Sequence, residues 1–112
     1  MVNYHAGQQL DLVFAALSDP TRRAIVARLA RGQATAGELA EPFSISLPAI
    51  SKHLKVLERA GLLERLVEGR THRCFLSPRP LLDAMQWVEQ NRNFWNARLD
   101  ALESYVAKRP RR

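Results

Sequence analysis

One cysteine, Cys74, occurs among 112 residues, so no disulfide can close within the chain and a disulfide-stapled secreted scaffold is excluded. No apolar run approaches the roughly 18 residues that span a bilayer. The start, Met1-Val2-Asn3-Tyr4-His5, lacks the charged and apolar regions of a signal peptide. The chain therefore reads as cytoplasmic. Catalytic groupings are also missing: no Ser or Cys in a nucleophile motif, no converging carboxylates and no Gly-rich phosphate loop. Neither an enzyme nor a bound cofactor is expected. Acid is scarce relative to base, 11 Asp and Glu against 17 Lys and Arg, a net charge of +6. Such a surplus in a small chain favours an anionic partner, nucleic acid ahead of acidic membrane. The terminal Lys108-Arg109-Pro110-Arg111-Arg112 has no adjoining apolar anchor, so it reads as a frayed basic tail and no membrane role is expected.

The length leaves room for a single domain over residues 1–112, and a core this small is marginal unless shared with a second copy. Leu10, Val13, Phe14 and Leu17 recur at helical spacing until Ser18-Asp19-Pro20, where Asp19 can cap a second helix with Pro20 in its first turn. That helix turns Ile25 and Leu29 inward and Arg22, Arg23, Arg28 and Arg31 outward, and Gly32 ends it. Thr35-Ala36-Gly37-Glu38 fits a capping box opening a short third helix with Leu39 and Phe43 on its core face. Ser46 then caps a fourth helix, Leu47 to Ala60, that stops at Gly61. Two short helices joined by a tight polar turn, at about 35–60, outline a helix-turn-helix. Two alternating runs around Glu68-Gly69-Arg70 form a hairpin at about 62–76, and after Ser77-Pro78-Arg79-Pro80 a long helix runs from about 81 to 107. The predicted class is mainly α with a small β-hairpin, a winged helix-turn-helix with a long C-terminal dimerisation helix.

On the fourth helix Ile50, Leu54 and Leu57 fall in one narrow arc and must face the core. The opposite arc carries Pro48, Ala49, Lys52, Val56 and Arg59, with Ser51, His53 and Lys55 on its flanks and Glu58 as the one acid. Small residues at the outer N-terminal end let a helix enter the major groove of double-stranded DNA, while Lys and Arg reach phosphates on its walls. Arg65, Arg70, His72 and Arg73 cluster about Gly69, where a two-stranded wing could reach the neighbouring minor groove or backbone. On the last helix, Trp95, Leu99, Leu102 and Val106 continue one apolar seam, with Trp87 and Phe94 on an adjacent face. A helix with two apolar faces has two things to pack against, its own domain and a partner subunit; a ligand pocket beside Trp87 and Phe94 is the alternative.

Leu17-Ser18-Asp19-Pro20-Thr21-Arg22-Arg23, Ser46-Leu47-Pro48-Ala49-Ile50-Ser51-Lys52-His53-Leu54-Lys55-Val56-Leu57, Ala60-Gly61-Leu62-Leu63 and Glu68-Gly69-Arg70 together closely resemble the ArsR family of bacterial repressors, over about residues 8 to 106. The resemblance implies a homodimer held by the first and last helices, with Leu10 and Phe14 from the first, repressing from a pseudo-palindromic operator. By that likeness Ser46, Leu47, Ala49, Ser51, Lys52 and His53 match the base-reading segment and Arg70 the wing tip. Many members carry Gln where this chain has Leu47, and a leucine can touch a thymine methyl but cannot hydrogen-bond a base. The family's best-known metal site uses two cysteines one residue apart, and Thr35 and Gly37 hold those positions here. Another uses Asp and His pairs on the last helix, where this chain offers Asp83 and Glu89 but none of its histidines, His5, His53 and His72. No metal is expected, and the likeness is to a branch without the known metal sites. His72 and Cys74 share a strand face, which leaves a weak metal site formally open. Arg73 or His72 could also activate Cys74 as a redox trigger, but alternation with Leu76 places the thiol inward. The rival readings are a metal- or redox-responsive repressor, a sequence-tolerant DNA-binding protein and a protein-interaction module. No residue pattern names an effector.

Overall fold

The computed structural model describes residues 4–110, with side chains from Gly7 onward. Met1–Asn3, Arg111 and Arg112 of the expected basic tail, and the His5 side chain lie outside what is described. The elements are α1 (Tyr4–Ala16), α2 (Pro20–Leu29), β1 (Ala34–Thr35), α3 (Ala36–Ala40) with a 3-10 turn at Glu41–Phe43, α4 (Leu47–Arg59), β2 (Leu63–Glu68), β3 (Thr71–Leu76) and α5 (Arg79–Lys108).

The helix starts follow from their caps. Asp19 Oδ2 accepts from the Arg22 amide at 3.0 Å, and Ser46 Oγ accepts from the Ala49 amide at 3.2 Å. Thr35 and Glu38 satisfy each other's amides reciprocally, which starts a helix of only five residues. Helix α4 is closed by Gly61 at φ +76°, where the chain must turn sharply beneath α1 and α5. The turn between α3 and α4 passes through Ser44 at φ 52°, a left-handed position held by a residue other than glycine.

The sheet has the order β1-β3-β2, antiparallel throughout. Glu68 pairs with Thr71, so Gly69-Arg70 forms a two-residue turn with Gly69 at φ +61°. The expected hairpin thus gains a third strand: Ala34 pairs with Cys74 and Thr35 with Arg73. Two residues are too few for alternation to show in a sequence. Their effect is to tie the root of α3 to the ribbon.

Val13, Ile25, Leu39, Ile50, Leu54, Leu57, Leu62 and Cys74 form one fully buried core beneath the helices and the sheet. Two outward expectations are corrected. Arg22 lies partly buried, its Nε donating to the Ala16 carbonyl at 2.7 Å and Nη2 to the Ala15 carbonyl at 3.2 Å, because the end of α1 leaves carbonyls without intrahelical partners. Val56, placed opposite the core arc, is half-buried and packs on the core. Leu10 is half-buried and packs partly against the chain's own core, a position that leaves part of it free for a partner.

The long helix also departs from expectation. Only Ala84 on α5 is buried, Leu81 packs beside it, and Trp87 meets Phe14 edge-on at 6.0 Å between centroids. Beyond that contact Phe94, Trp95, Leu99, Leu102, Tyr105 and Val106 are all exposed. Among the described residues, only the opening turns of α5 pack on the rest of the chain. Phe94 and Trp95 pack edge-to-face at 5.3 Å, with the Arg98 guanidinium 4.3 Å from the Phe94 centroid.

Candidate nucleic-acid interface

Helix α4 presents three sides. Ile50, Leu54 and Leu57 are buried. The side facing solvent carries Pro48, Lys52, Lys55 and Arg59, all exposed and without an acid among them. Towards the ribbon lie Leu47, Ser51 and Glu58, and towards α2 lies His53. Glu58, the one acid of α4, is drawn off the surface by Arg65 on β2, whose Nη2 donates to Glu58 Oε1 at 2.5 Å. The outer face of α4 is left without an acid, and Lys52, Lys55 and Arg59 make it cationic.

Between the first half of α4 and the ribbon runs a groove of about 460 Å³, lined on one side by Leu47 and Ser51, on the other by Arg70, Thr71 and His72, and floored by Thr35–Gly37 and Arg65. It brings together Leu47, Ser51, Arg70 and His72 from the expected site. Arg70 is exposed at the ribbon turn. Lys52 and Lys55 stand on the outer side of the same helix.

Other expected residues fall elsewhere. His53 is turned towards α2, its Nδ1 accepting from Arg22 Nη1 at 3.3 Å and lying 3.9 Å from Asp19 Oδ2. Held by Arg22 and the Asp19 cap of α2, His53 packs α4 against α2. His72 lines the groove, but its Nδ1 accepts from Arg65 Nη1 at 3.3 Å. Arg73 shares a ribbon face with its partner Leu66, opposite the one bearing Cys74, and lies 3.9 Å from Glu68. Arg65 is the clearest correction to the expected wing cluster. Its side chain is 14 % exposed and its buried Nε has no partner, so it anchors the ribbon to α4 instead of reaching outward. Thr35 and Thr71 enter the groove without having been singled out for it, since strand register alone brings them there.

Cys74 is fully buried beside Ala34, and burial pushes its thiol above the ordinary cysteine range. A redox trigger needs the reverse, an exposed thiol with a lowered pKa. Thr35 and Gly37, at the family's two-cysteine positions, flank the groove without a soft ligand. Among the described residues no three His, Cys, Asp or Glu side chains converge, and no helix is long and apolar enough to cross a membrane.

A family model for a helix-turn-helix domain matches residues 17–65. The transcriptional repressor SdpR of Bacillus subtilis (strain 168) is 42 % identical over 79 residues, which span 70 % of this chain and 88 % of that protein. The crystal structure of an ArsR family transcriptional regulator superposes with a TM-score of 0.77 at 38 % identity, covering 86 % of this chain and 97 % of that one. This chain belongs to the ArsR family of transcriptional regulators. A second solved family member, an ArsR-like transcriptional regulator from Rhodococcus sp. RHA1, covers 88 % of this chain and 92 % of its own at 36 % identity, with a TM-score of 0.69. Both superpositions take in α5 as well as the helix-turn-helix, so the ArsR architecture extends beyond the matched helix-turn-helix segment. The chain is accordingly a DNA-binding transcriptional regulator with a winged helix-turn-helix.

Proposed function

We propose that this ArsR family member is a cytoplasmic homodimeric repressor, one domain per chain, that binds a pseudo-palindromic operator without a metal or other cofactor. Each α4 enters a major groove, and the two lie about one helical turn of DNA apart. The observation that carries the reading is the acid-free outer face of α4, Pro48, Lys52, Lys55 and Arg59, standing beside a groove whose far wall is the ribbon tip with Arg70. In this arrangement Ser46, Leu47, Ala49 and Ser51 come closest to base edges, because they occupy the N-terminal end that penetrates deepest. Lys52 and Lys55 meet phosphates along the groove wall, and Arg70 meets the backbone or minor groove one step away. His72 and Arg73 stiffen and flank the wing. The exposed stripe of α5 with Phe14 supplies the twofold interface that sets the spacing between the two α4 helices.

Fluorescence anisotropy against the DNA flanking its own gene tests this. A repressor prefers that duplex over random DNA by about 10³ or more at physiological salt. Arg70→Ala lowers affinity evenly across sequences and reduces the salt slope by about one per wing contact. Equal affinity for both duplexes would reduce the protein to a sequence-tolerant DNA binder, and no binding to either would leave an interaction module built on the same fold.

A further inference from the structure

Leu47 opens α4 and is 61 % exposed, although every other outward position in the first half of that helix is small, polar or basic. Around it Ser46 caps the helix, Pro48 and Lys52 face solvent and Ser51 lies one turn further on, while Ile50 and Leu54, which line the same groove, are buried and leave Leu47 exposed at its lip. The core does not take it up, and the other exposed large apolar residues lie on α1, α5 and the ribbon strand β2 rather than on this face. Leu47 stands on the lip of the groove opposite Arg70 and Thr71, at the end of the helix that leads into DNA. A leucine there cannot bind a phosphate or hydrogen-bond a base edge. The apolar feature the major groove offers it is the C5-methyl of thymine.

We infer that Leu47 is a specificity-determining residue that reads a thymine methyl group in each operator half-site. The inference rests on the DNA-binding reading above and adds the chemistry of one recognised base. Pro48 and the Ser46 cap fix the first turn of α4, so the isobutyl group is presented from a stiff backbone and little ordering opposes the contact. Ser51, on the same side of the helix one turn along, can hydrogen-bond the neighbouring base or phosphate. Burying one methyl group gives about 0.8 kcal/mol, or about fourfold in affinity, and about fifteenfold when both half-sites of a dimer contribute.

The test uses the full chain and a randomised duplex pool of about 30 base pairs, from which bound sequences are selected. The selected consensus is then titrated with thymine, or with deoxyuridine lacking only the methyl, at each invariant thymine in turn. Wild type is expected to lose about fourfold per half-site at one such position, and Leu47→Ala to bind the two duplexes equally with an unchanged salt slope. Leu47→Gln is expected to shift the selected base towards adenine, which a glutamine amide can grip at N6 and N7. A consensus with no invariant thymine overturns the inference. So does wild-type affinity that never differs between thymine and deoxyuridine, or discrimination that survives in Leu47→Ala; in these cases sequence-specific binding still stands. Selection that yields no consensus overturns sequence reading and the Leu47 inference together.

Discussion

The Glu58–Arg65 pair joins the helix proposed to read DNA to the ribbon proposed to flank it, and its energetics can be set by burial. Arg65 is 14 % exposed and Glu58 36 %, with Nη2 and Oε1 2.5 Å apart. A fully exposed pair is worth about 0.2–1 kcal/mol, and breaking a fully buried one costs about 3–5. This pair lies between, nearer the exposed end because Glu58 keeps water on one side. Glu58→Gln, which leaves the Arg65 charge without its counter-charge, should destabilise by about 1.5 kcal/mol. That is a fall in Tm of about 6 °C for a domain of this size. Arg65→Met removes both the charge and the unpaired buried Nε, and because the Glu58 carboxylate is 36 % exposed it can turn to water, so this variant should cost less than Glu58→Gln. The double variant should then resemble Arg65→Met, so the two losses are far from additive. Urea unfolding of the four proteins at one fixed protomer concentration measures the cycle. A Glu58→Gln loss below about 0.3 kcal/mol, or additive single losses, would show that the pair is a solvated surface contact and that the ribbon is held by strand pairing alone.

Gly61→Ala should destabilise by about 2 kcal/mol in thermal unfolding, because φ +76° disfavours a side chain and the added Cβ would come 3.0 Å from Gln9 Nε2 and 3.2 Å from Pro80 Cγ. Asp19 is held below the ordinary carboxylate range, first by the Arg22 amide and then by the nearby His53 and Arg22 charges. Its contribution is therefore complete above the unfolded-state value and disappears as pH falls through the lower folded value. Asp19→Asn should flatten that acid limb of the stability–pH curve, and an unchanged limb would remove Asp19 as its source. Cys74 should resist thiol reagents in the native protein and react only as fast as the fold opens; labelling at the rate of a free thiol would contradict its burial.

Local chemistry carried most of the fold into the sequence. Asp19, Thr35 and Ser46 announce helix starts, Gly61 a stop and Gly69 a turn, because each signal lies within four residues of what it controls. What stayed hidden depends on residues far apart in the chain. Strand β1 exists because Cys74 and Arg73 offer it a pairing edge, and nothing within Ala34–Thr35 reports that edge. Arg65 reads as one more wing cation until the register of β2 swings it under α4. Arg22 and His53 read as surface charge and base reader until the unpaired carbonyls at the end of α1 and the Asp19 cap draw them together. The proposed site was thus legible in its composition but not in its division between residues that reach outward and residues that hold the outward ones in place.

The same distinction governs α5. At 30 residues the helix is about 45 Å long, and beyond the Phe14–Trp87 contact its apolar side meets no partner among the described residues. Helical stability in water comes mainly from burying such a face, so this segment alone would fray. On the proposed homodimer, folding of the second half of α5 and association are one process, and both Tm and the helical signal at 222 nm must rise with protein concentration. Leu99→Asp places a charge in the middle of the stripe. It should shift sedimentation towards the monomer, remove the concentration dependence and lower operator affinity, while the α4 face and the ribbon keep their folded chemistry. A wild-type protein that remains monomeric with α5 fully helical across the micromolar range would refute this, and the stripe would then need an occupant other than a second copy.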